Sequence, residues 1–442
     1  MNSFINFFKV SERGSTVSRE ALGGLTTYMT LAYIVFVQPV VLSAAGMDFG
    51  SVFTATCLSS AIACILMGIF ANYPIALGPA MGHNFYFVYA VVLGMKMSWQ
   101  QALTTVFIAG ILFFILSLTK IRQVIIDAIP QPLNAAIAAG IGLMIALIGL
   151  EWAGIIVPVP GTIVGLGDLT SPPVVLAIFG LLVTGIFLVR KVSGAILYGI
   201  ILSIIAGLIF GMIKFQGVVS APPSMAPTFL QFDFSNIFTV DVIVVIAIFL
   251  FLDIFDTLGT MIGLAPELGV VKDGKYDINK NAFLADSAGT VFGAMFGTST
   301  LTSYVESSAG INAGAKTGIA AIVTGILLLI TPFFSPIVNM VGGGIAIDPE
   351  TTLYPVTAPA LIIIGVMMMR SAKDILWDQP ADAIPAFLTI MMMQLTVSMT
   401  DGIAFGFISY SALSIFSGKF TKTSPAIHIC AVLLLIRYIW FV

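Results

Sequence analysis

The stretch Tyr73-Pro-Ile-Ala-Leu-Gly-Pro-Ala-Met-Gly-His-Asn84 interrupts a long apolar run of this sequence. Pro79 cannot donate a backbone hydrogen bond, and Gly78 and Gly82 favour non-helical angles, so a regular helix is not expected to run through it. A second stretch, Gly297-Thr-Ser-Thr-Leu-Thr-Ser-Tyr-Val-Glu306, has the β-branched composition typical of a strand. We predict that each stretch begins as an extended piece and continues as a half-helix.

The chain around these two stretches is too apolar to be a soluble protein. Of its 442 residues, 59% are hydrophobic and only 9% are charged, and the mean hydropathy is +1.08. At about 20 apolar residues for each membrane helix, plus short connections, this length allows about fourteen spans. The apolar stretches bounded by charges, Gly or Pro are 22–44, 51–71, 75–95, 99–118, 130–150, 173–190, 194–213, 239–263, 281–297, 300–313, 316–335, 354–369, 383–398 and 402–417. The sequence therefore predicts an all-α polytopic membrane protein with two sets of seven spans, in which the interrupted stretches are segments 3 and 10.

The basic residues indicate how these spans are oriented. With the N-terminus inside the cell, fifteen Lys and Arg fall in inside loops, whereas only Lys96 and Lys214 fall in outside loops. Cytoplasmic loops collect positive charge, so residues 1–21 are predicted to form a cytoplasmic tail of a protein of the inner or plasma membrane. A last apolar run, 424–441, contains His428 and Arg437, and the sequence leaves open whether it spans the membrane or lies at its surface.

The two halves of the chain are related in order as well as in number. The stretches 70–77 and 109–116 are weakly similar to 296–303 and 324–331, in the same order but with different shifts. Because seven is odd, the second half enters the membrane from the opposite side, which gives an inverted repeat typical of secondary transporters. Interrupted segments at matching places in two halves indicate a substrate site, and the alternative is a pair of kinks needed only for packing.

The composition excludes several classes of function. A net charge of −3 offers no polybasic face for nucleic acid. The three cysteines lie in apolar runs without CxxC spacing and the two histidines are isolated, so no disulfide framework and no metal cluster are predicted. The sequence carries no hydrolytic triad and no phosphate-binding glycine loop, so we predict neither an enzyme nor a cofactor.

Acidic residues inside predicted spans indicate where the site lies, and they are Asp253, Asp256, Asp286 and Glu306. Each costs at least about 2.5–3.5 kcal/mol on insertion scales, so such residues are usually functional. The polar residues of one span recur at i, i+3, i+4 and i+7, and they are Asp253, Asp256, Thr257 and Thr260. A stripe with this spacing occupies one face of a helix, which must look into the protein. It either binds a ligand or hydrogen-bonds a neighbouring helix.

The other polar residues of the interrupted segments each allow two interpretations. Glu306 follows Ser303 by three positions, which is a capping box, but a carboxylate at the start of a half-helix is also a good acceptor for a ligand N–H. Asp286 is either a structural acceptor or a proton relay. Asn84 either binds a ligand that both donates and accepts, or clasps another helix. His83 either titrates near neutral pH or is a packing residue.

The chemistry of these residues restricts the ligand. Two carboxylates aimed at one cavity repel an anion, and they suit a cation or a neutral ligand rich in N–H donors. This excludes sulfate, bicarbonate and dicarboxylates as favoured substrates. If a carboxylate must be protonated as the ligand binds, the proton gradient drives uptake, and coupling to Na⁺ is the alternative.

Six stretches of the sequence carry a resemblance to a known family. They are Gly23-Gly-Leu-Thr-Thr-Tyr-Met-Thr-Leu-Ala-Tyr-Ile-Val-Phe-Val-Gln-Pro39, Gly78-Pro-Ala-Met-Gly-His-Asn-Phe-Tyr-Phe87, Phe251-Leu-Asp-Ile-Phe-Asp-Thr-Leu-Gly-Thr260, Thr298-Ser-Thr-Leu-Thr-Ser-Tyr-Val-Glu-Ser-Ser-Ala-Gly310, Ile384-Pro-Ala-Phe-Leu-Thr-Ile390 and Asp401-Gly-Ile-Ala-Phe-Gly-Phe407. Through them nearly the whole chain resembles the nucleobase–cation symporter-2 family, and within it the AzgA-like hypoxanthine/guanine/adenine permeases.

This resemblance implies a fourteen-helix inverted repeat with a mobile core domain and a gate domain, a purine held between the half-helices, and a homodimer. The core domain would contain spans 1–4 and 8–11, and the gate domain spans 5–7 and 12–14. The implied boundaries are 1–21 for the cytoplasmic tail, 22–118 and 236–336 for the core domain, 119–235 and 337–417 for the gate domain, and 418–442 for a C-terminal apolar segment.

The resemblance also implies roles for single residues. The acid of span 8 that contacts the base falls on Asp253, and the glutamate at the start of the second half-helix falls on Glu306. The asparagine of the first interrupted segment falls on Asn84, and the aspartate of span 9 on Asp286. Thr27 occupies the place where xanthine and uracil members tend to carry histidine, which favours the purine branch.

The chain departs from the branch pattern Ala-Pro-Gly-Met-Gly-Leu-Asn at Gly78, Ala80 and His83, which leaves the choice among purines open. We predict a proton-coupled importer of hypoxanthine, guanine or adenine. The predicted site residues are Asp253, Glu306, Asn84, Thr27, Gly78, Ala80 and Tyr304 for the purine, and Asp256 and Asp286 for the coupled proton. The alternatives are a xanthine or uracil carrier on the same fold, an anion transporter of that architecture, and a channel or receptor.

Overall fold

The computed structural model describes residues 6–119, 130–159, 163–272, 275–276, 278–347, 351–418 and 423–440. The helices bounded within these residues, α1 to α17 in chain order, are Val17–Leu31, Ile34–Ser43, Phe49–Leu66, Met81–Phe85, Trp99–Leu118, Gln131–Trp152, Pro172–Val189, Ala195–Ile209, Val240–Leu268, Lys280–Phe296, Ser307–Asn312, Gly318–Ile330, Ser335–Gly342, Ala358–Met368, Pro380–Thr396, Met399–Phe416 and Pro425–Trp440. The strands β1 to β8 are Leu77–Pro79, Ile156–Val157, Gly165–Leu166, Val271–Lys272, Lys275–Tyr276, Leu301–Ser303, Ile345–Ala346 and Thr352–Leu353. They pair antiparallel as β1 with β6, β2 with β3, β4 with β5 and β7 with β8.

Eight helical stretches of the described residues are long and apolar enough to cross a membrane. They are Val17–Ser43, Phe49–Ala71, Trp99–Leu118, Gln131–Trp152, Pro172–Val189, Val240–Leu268, Gly318–Gly342 and Met399–Phe416. Helices suit such a chain because lipid offers no partner to backbone N–H and C=O groups, and a helix satisfies them internally. The protein is therefore a helical polytopic membrane protein, as the composition predicts. Six of the fourteen predicted segments are absent from this set. Segments 3 and 10 begin with strands, and the helices in 194–213, 281–297, 354–369 and 383–398 have only 15, 17, 11 and 17 residues.

The helix ends follow local sequence signals. The side chains of Asp48, Thr317 and Ser398 accept backbone N–H groups at the starts of α3, α12 and α16. Helix α10 ends at Gly297, whose φ of 96° is disfavoured for other residues. An ideal Cβ at this position would also lie 2.2 Å from the Cβ of Thr228. Gly297 thus fixes the point where α10 stops and the chain turns toward β6.

The chain divides into two compact units. The first contains Met1–Leu118 and Trp152–Ala360, and the second contains Thr119–Glu151 and Leu361–Val442. In the first unit, α10 packs against α3 and α5, and α12 packs against α1 and α3. In the second unit, α16 packs between α15 and α17. All the predicted site residues lie in the first unit, and the core and gate boundaries stay a prediction.

A close crossing holds the start of α12 against the residues that follow α3. An ideal Cβ on Gly318 would lie only 2.1 Å from the carbonyl oxygen of Gly68. Beside this crossing, the fully buried carboxylate of Glu20 accepts the N–H groups of Lys316 and Thr317 at 2.9 and 3.1 Å. A residue from the first helix therefore satisfies the free donors at the start of α12.

We expect Gly318→Ala to lower the unfolding temperature of the purified protein in detergent by several degrees. The added methyl group meets backbone that cannot move aside, and overpacking of this kind costs about 1–3 kcal/mol. The matched control is Gly185→Ala in α7, where no atom lies within 4 Å of an ideal Cβ. Because Ala is the better helix former, this control should unfold at or slightly above the wild-type temperature. Equal losses in the two variants would contradict the close crossing.

Candidate functional site

The two interrupted segments meet in a two-stranded ribbon. Strands β1 and β6 pair antiparallel, and backbone hydrogen bonds of 2.9 Å from Ala80 to Thr300 and from Tyr304 to Ala76 extend the pairing at both ends. Strand β1 leads into α4, and β6 leads after a turn into α11. The structure confirms the two extended pieces and half-helices predicted from the sequence. Because the pairing is antiparallel, α4 begins at one end of the ribbon and the segment leading to α11 leaves from the other.

Tyr304 fixes the main chain of the first segment. Its hydroxyl donates to the carbonyl oxygen of Pro79 at 2.6 Å. Its ring lies so close to Gly78 that an ideal Cβ there would be 3.1 Å from a ring carbon. Ala80, at the start of α4, is buried beside them. A glycine at position 78 therefore allows the close approach of the tyrosine, and the three predicted positions lie in one place.

Asp286 of α10 lies behind the ribbon and is fully buried. Its carboxylate accepts hydrogen bonds from the hydroxyl of Thr257 on α9, at 2.6 Å, and from the hydroxyl of Ser303 on β6, at 2.7 Å. The predicted capping box of Ser303 and Glu306 is wrong, because the Ser303 hydroxyl is used by Asp286 and α11 has no side-chain cap. Asp286 of α10 therefore forms hydrogen bonds with both α9 and β6.

Asp253 of α9 is also buried, with 1% of its surface exposed. Its Oδ2 accepts from the hydroxyl of Thr290 at 3.1 Å, and that hydroxyl lies 2.9 Å from the carbonyl oxygen of Leu301 as well. Since a hydroxyl has one proton to donate, Thr290 satisfies only one of these acceptors at a time. The Oδ1 of Asp253 has no hydrogen-bond partner among the described residues. Asp253 therefore has acceptor capacity that the described protein does not fill.

Asp256, one turn further along α9, has a different environment. Its side chain is 41% exposed, and its Oδ2 lies 3.9 Å from Nδ1 of the buried His83. The surface is also open three residues further along α9, since no atom lies within 4 Å of an ideal Cβ at Gly259. The polar stripe predicted on α9 is therefore split, with Asp253 and Thr257 buried and Asp256 facing open space.

Glu306 stands at the entry to α11 and is half-buried. Its Oε1 accepts a hydrogen bond of 2.8 Å from the hydroxyl of Tyr33, which lies between α1 and α2. Sequence reasoning missed Tyr33, although it lies within the opening motif. A tyrosine in an apolar span needs a partner for its hydroxyl, and this need was the available signal.

Thr27 of α1 is buried, and its hydroxyl has no partner among the described residues. An ideal Cβ on Gly310 would lie 2.1 Å from this hydroxyl, so α1 and α11 are in close contact here. Thr27 is thus next to the half-helix that Glu306 begins. A contact between Thr27 and a purine stays a prediction.

Asn84 of α4 is fully buried inside a polar cluster. Its amide exchanges hydrogen bonds with Gln38 and accepts one from Ser299. Sequence reasoning missed Gln38, a single amide in the apolar run of α2, which also donates to Thr298 at 3.0 Å. In this conformation the Asn84 amide links α4 to α2 and to the segment before β6. Its contact with a ligand stays a prediction.

If the chain is the transporter that its motifs imply, we expect Tyr33→Phe to raise the KM for uptake about 3- to 10-fold, because one hydrogen bond contributes about 0.5–1.5 kcal/mol net. The lost hydroxyl holds the Glu306 carboxylate in place. The matched control is Tyr28→Phe on the same helical stretch, whose hydroxyl pairs with Thr331 at 2.8 Å. Saturation curves of initial uptake rates compare the two variants, and equal KM values would contradict a role for Tyr33 at the site.

A helical membrane protein with two interrupted segments that meet in a ribbon beside buried carboxylates has the features of a secondary transporter. The family model Xan_ur_permease, described as a permease family, matches residues 18–405. The chain therefore belongs to this family, which is the nucleobase–cation symporter-2 family that its motifs predict. It is a transporter and not an enzyme.

Individual relatives cover nearly the whole chain. The chain is 45% identical over 446 residues to the guanine/hypoxanthine permease PbuG of Bacillus subtilis, covering 98% of this chain and 99% of that protein. It is 39% identical over 434 residues to the adenine permease AdeP of Escherichia coli, covering 98% and 95%. Among solved structures, the transmembrane domain of the cyanobacterium bicarbonate transporter BicA matches with a TM-score of 0.65 at 15% identity, covering 88% of this chain and 97% of that one. This last likeness concerns the fold alone.

Proposed function

We propose that this protein imports a purine nucleobase, namely hypoxanthine, guanine or adenine, by symport with protons. The observation that carries the proposal is the placement of Asp253, Asp256 and Glu306 beside the ribbon of two interrupted segments. A purine is a neutral ligand with ring N–H donors, and carboxylates are strong acceptors for such groups. The names of the relatives PbuG and AdeP support guanine, hypoxanthine and adenine as candidates.

The proposed topology is fourteen spans in a 7+7 inverted repeat, with the N-terminus in the cytoplasm. Two matching successions of elements support the repeat, since α3 is followed by β1 and α4, and α10 by β6 and α11. The excess of Lys and Arg in the predicted inside loops supports the orientation. We further propose that a core domain moves against a gate domain during transport, and that the protein forms a homodimer, as the family resemblance implies.

In the proposed site, Asp253 and Glu306 accept hydrogen bonds from purine N–H groups. The unpartnered Oδ1 of Asp253 supports its role, because a buried acceptor without a donor is costly and a ligand N–H would satisfy it. Since Asp253 is buried, neighbouring side chains must move before a purine reaches it. Thr27, Asn84 and the main chain at 78–80 beside Tyr304 are proposed to complete the polar edge.

Asp256 is the proposed carrier of the coupled proton. Its side chain is 41% exposed, and the nitrogen of His83 nearest its Oδ2 lies 3.9 Å away, too far for a hydrogen bond, whereas both oxygens of Asp286 already accept hydroxyl protons. Asp286 is the second candidate, because its hydrogen bonds to Thr257 of α9 and Ser303 of β6 would change if these elements moved relative to α10. Na⁺ coupling is the alternative that the test below separates.

The test is uptake of radiolabelled hypoxanthine, guanine, adenine, xanthine, uracil and bicarbonate into cells that lack their own carriers. We expect saturable uptake of at least one of the first three bases, and we expect a protonophore to abolish accumulation while removal of Na⁺ does not. Uptake of xanthine or uracil alone would select the alternative carriers on this fold. Flux that does not saturate, or transport of bicarbonate without any base, would overturn the proposal in favour of a channel or an anion transporter.

A further inference from the structure

His83 is a buried ionisable residue that the proposed mechanism does not use. It lies in α4, and its imidazole stacks on the ring of Phe249 from α9, with centroids 6.5 Å apart and planes inclined by 21°. Only 3% of its side chain is exposed. This stacking fixes the plane of the imidazole, so its two nitrogens point in defined directions.

The two nitrogens of His83 have different surroundings. Nδ1 faces Oδ2 of Asp256 at 3.9 Å, whereas Nε2 has no hydrogen-bond partner among the described residues. A separation of 3.9 Å is too long for a hydrogen bond, but a small rotation of the exposed Asp256 side chain would close it. The His83 side chain is 3% exposed, whereas the Asp256 side chain is 41% exposed and has more room to rotate. A hydrogen bond with Nδ1 of His83 would therefore fix the orientation of the Asp256 carboxylate.

Other titratable groups surround this pair. Helix α9 also contributes Asp253, α10 contributes Asp286, and the segment before α11 contributes Tyr304 and Glu306. Each of these groups interacts electrostatically with Asp256. Of the described carboxylates, Asp256 is the one within 4.0 Å of a nitrogen of His83. Asp256 is therefore the described carboxylate that His83 can contact directly.

We propose that His83 is a positioning residue for Asp256, holding its carboxylate in the orientation in which it takes up the coupled proton. The inference rests on the proposed function, in which Asp256 carries that proton. It gives a role to a polar side chain whose burial would otherwise be costly.

The test is a double-mutant cycle with His83→Leu and Asp256→Asn, read as purine accumulation and as the pH profile of uptake. We expect His83→Leu alone to lower accumulation about 3- to 10-fold, from the loss of one interaction of about 0.5–1.5 kcal/mol. Because Asp256→Asn is itself expected to abolish accumulation, the readout in that background is purine uptake down its own gradient under a protonophore, which His83→Leu should leave unchanged. His83→Asn, whose amide can donate from nearly the Nδ1 position, should recover most of the accumulation.

Slower downhill uptake from His83→Leu in the Asp256→Asn background, unchanged accumulation in His83→Leu alone, or a failure of His83→Asn to recover accumulation would overturn the inference. Unfolding temperatures of the purified variants show whether a loss comes from misfolding. If His83→Leu unfolds at a lower temperature than the wild type, His83→Gln takes its place. Failure of the proposed function is distinguishable, because it would show in the wild-type protein as missing purine uptake.

A second, independent observation concerns α17, which the sequence leaves unassigned between a spanning and a surface helix. The hydroxyl of Ser411 in α16 lies 2.8 Å from Nδ1 of His428 in α17, and the hydroxyl of Tyr438 donates to the carboxylate of Asp401. Ser411 lies ten residues after Asp401 in α16, whereas its partner His428 lies ten residues before Tyr438 in α17. Ten residues correspond to about 15 Å of helix, so α16 and α17 lie side by side and antiparallel over half of a hydrocarbon core about 30 Å thick.

We infer that α17 crosses the membrane beside α16, as a span that follows the fourteen of the proposed 7+7 repeat. Helix α16 is itself long and apolar enough to span, and a helix antiparallel to a spanning helix over this distance cannot lie flat in the interface. The burial of Ile427 and Ala431, four residues apart on α17, shows that one face is packed along the helix. The end of α17 therefore lies on the opposite side of the membrane from the connection between α16 and α17.

The test uses the full chain with an epitope tag after residue 442, and a separate Ser417→Cys variant treated with an impermeant maleimide. We expect antibody to reach the tag on intact spheroplasts, and Ser417→Cys to react above the wild-type background only after permeabilisation. A tag and a Ser417→Cys thiol that become accessible under the same condition, and so lie on one side of the membrane, would overturn the inference. Neither readout depends on transport.

Discussion

Replacing Glu306 by glutamine is expected to raise the KM for purine uptake about 10- to 150-fold, since a hydrogen bond to a charged group is worth about 1.5–3 kcal/mol. The glutamine keeps the size of the side chain and the partner oxygen for Tyr33, but it removes the charge. It also replaces an acceptor with an NH₂ group that opposes a purine N–H. The measurement is the saturation curve of initial uptake rates, together with binding of the base to purified protein.

The matched control is Glu267→Gln. Glu267 contacts the same half-helix, because it accepts the hydroxyl of Ser308 at 2.8 Å, but this contact is exposed. The control should change KM by less than about 3-fold, since an exposed interaction contributes less than about 1 kcal/mol. If both glutamine variants keep the wild-type KM, Glu306 does not bind the substrate.

The second large effect is expected to separate the two aspartates of α9. Asp253→Asn should weaken purine binding to purified protein about 10- to 150-fold, because it removes the charged acceptor proposed to face the ring N–H. Asp256→Asn should leave binding within about 3-fold, a change of less than 1 kcal/mol, but abolish accumulation driven by the proton gradient. Binding measurements and uptake with and without a protonophore give both quantities for each variant.

Asp241→Asn, at the exposed start of α9, is the control and should behave like the wild type. The opposite result, in which Asp256→Asn abolishes binding and Asp253→Asn abolishes only accumulation, would exchange the two roles. The greater exposure of Asp256 makes this exchange a specific alternative. Normal binding and normal accumulation in both variants would remove α9 from the mechanism.

Much of the local structure at the site could be predicted from single stretches of sequence. Pro79 with its neighbouring glycines, and the Thr/Ser run before Glu306, identified the two places where helices break. Such residues act on their own backbone through fixed angles and missing donors, so their effect needs no knowledge of distant residues. The position of Glu306 at the entry to a half-helix followed from the same local reasoning.

Side-chain partners could not be predicted in this way. Ser303 and Glu306 have capping-box spacing, yet the Ser303 hydroxyl donates to Asp286 from a different helix. A buried carboxylate gains more from a hydroxyl donor than a half-helix loses by lacking a side-chain cap. Which donor reaches which acceptor depended on the meeting of α9, α10 and β6, and no spacing in the sequence records it.

The sequence by itself determined that the chain is a helical membrane protein, because lipid demands long apolar helices. Its six motifs identified the permease family by resemblance, and the acids within the apolar runs identified candidate site residues. Only the tertiary structure decided how those acids differ. Pairing of β1 with β6 joins residues more than two hundred positions apart, and the helices packed around this ribbon bury Asp253 and Asp286 while leaving Asp256 open. Periodicity places Asp253 and Asp256 on the same helix face, but burial depends on what packs against each turn of that face, and those neighbours come from distant parts of the chain.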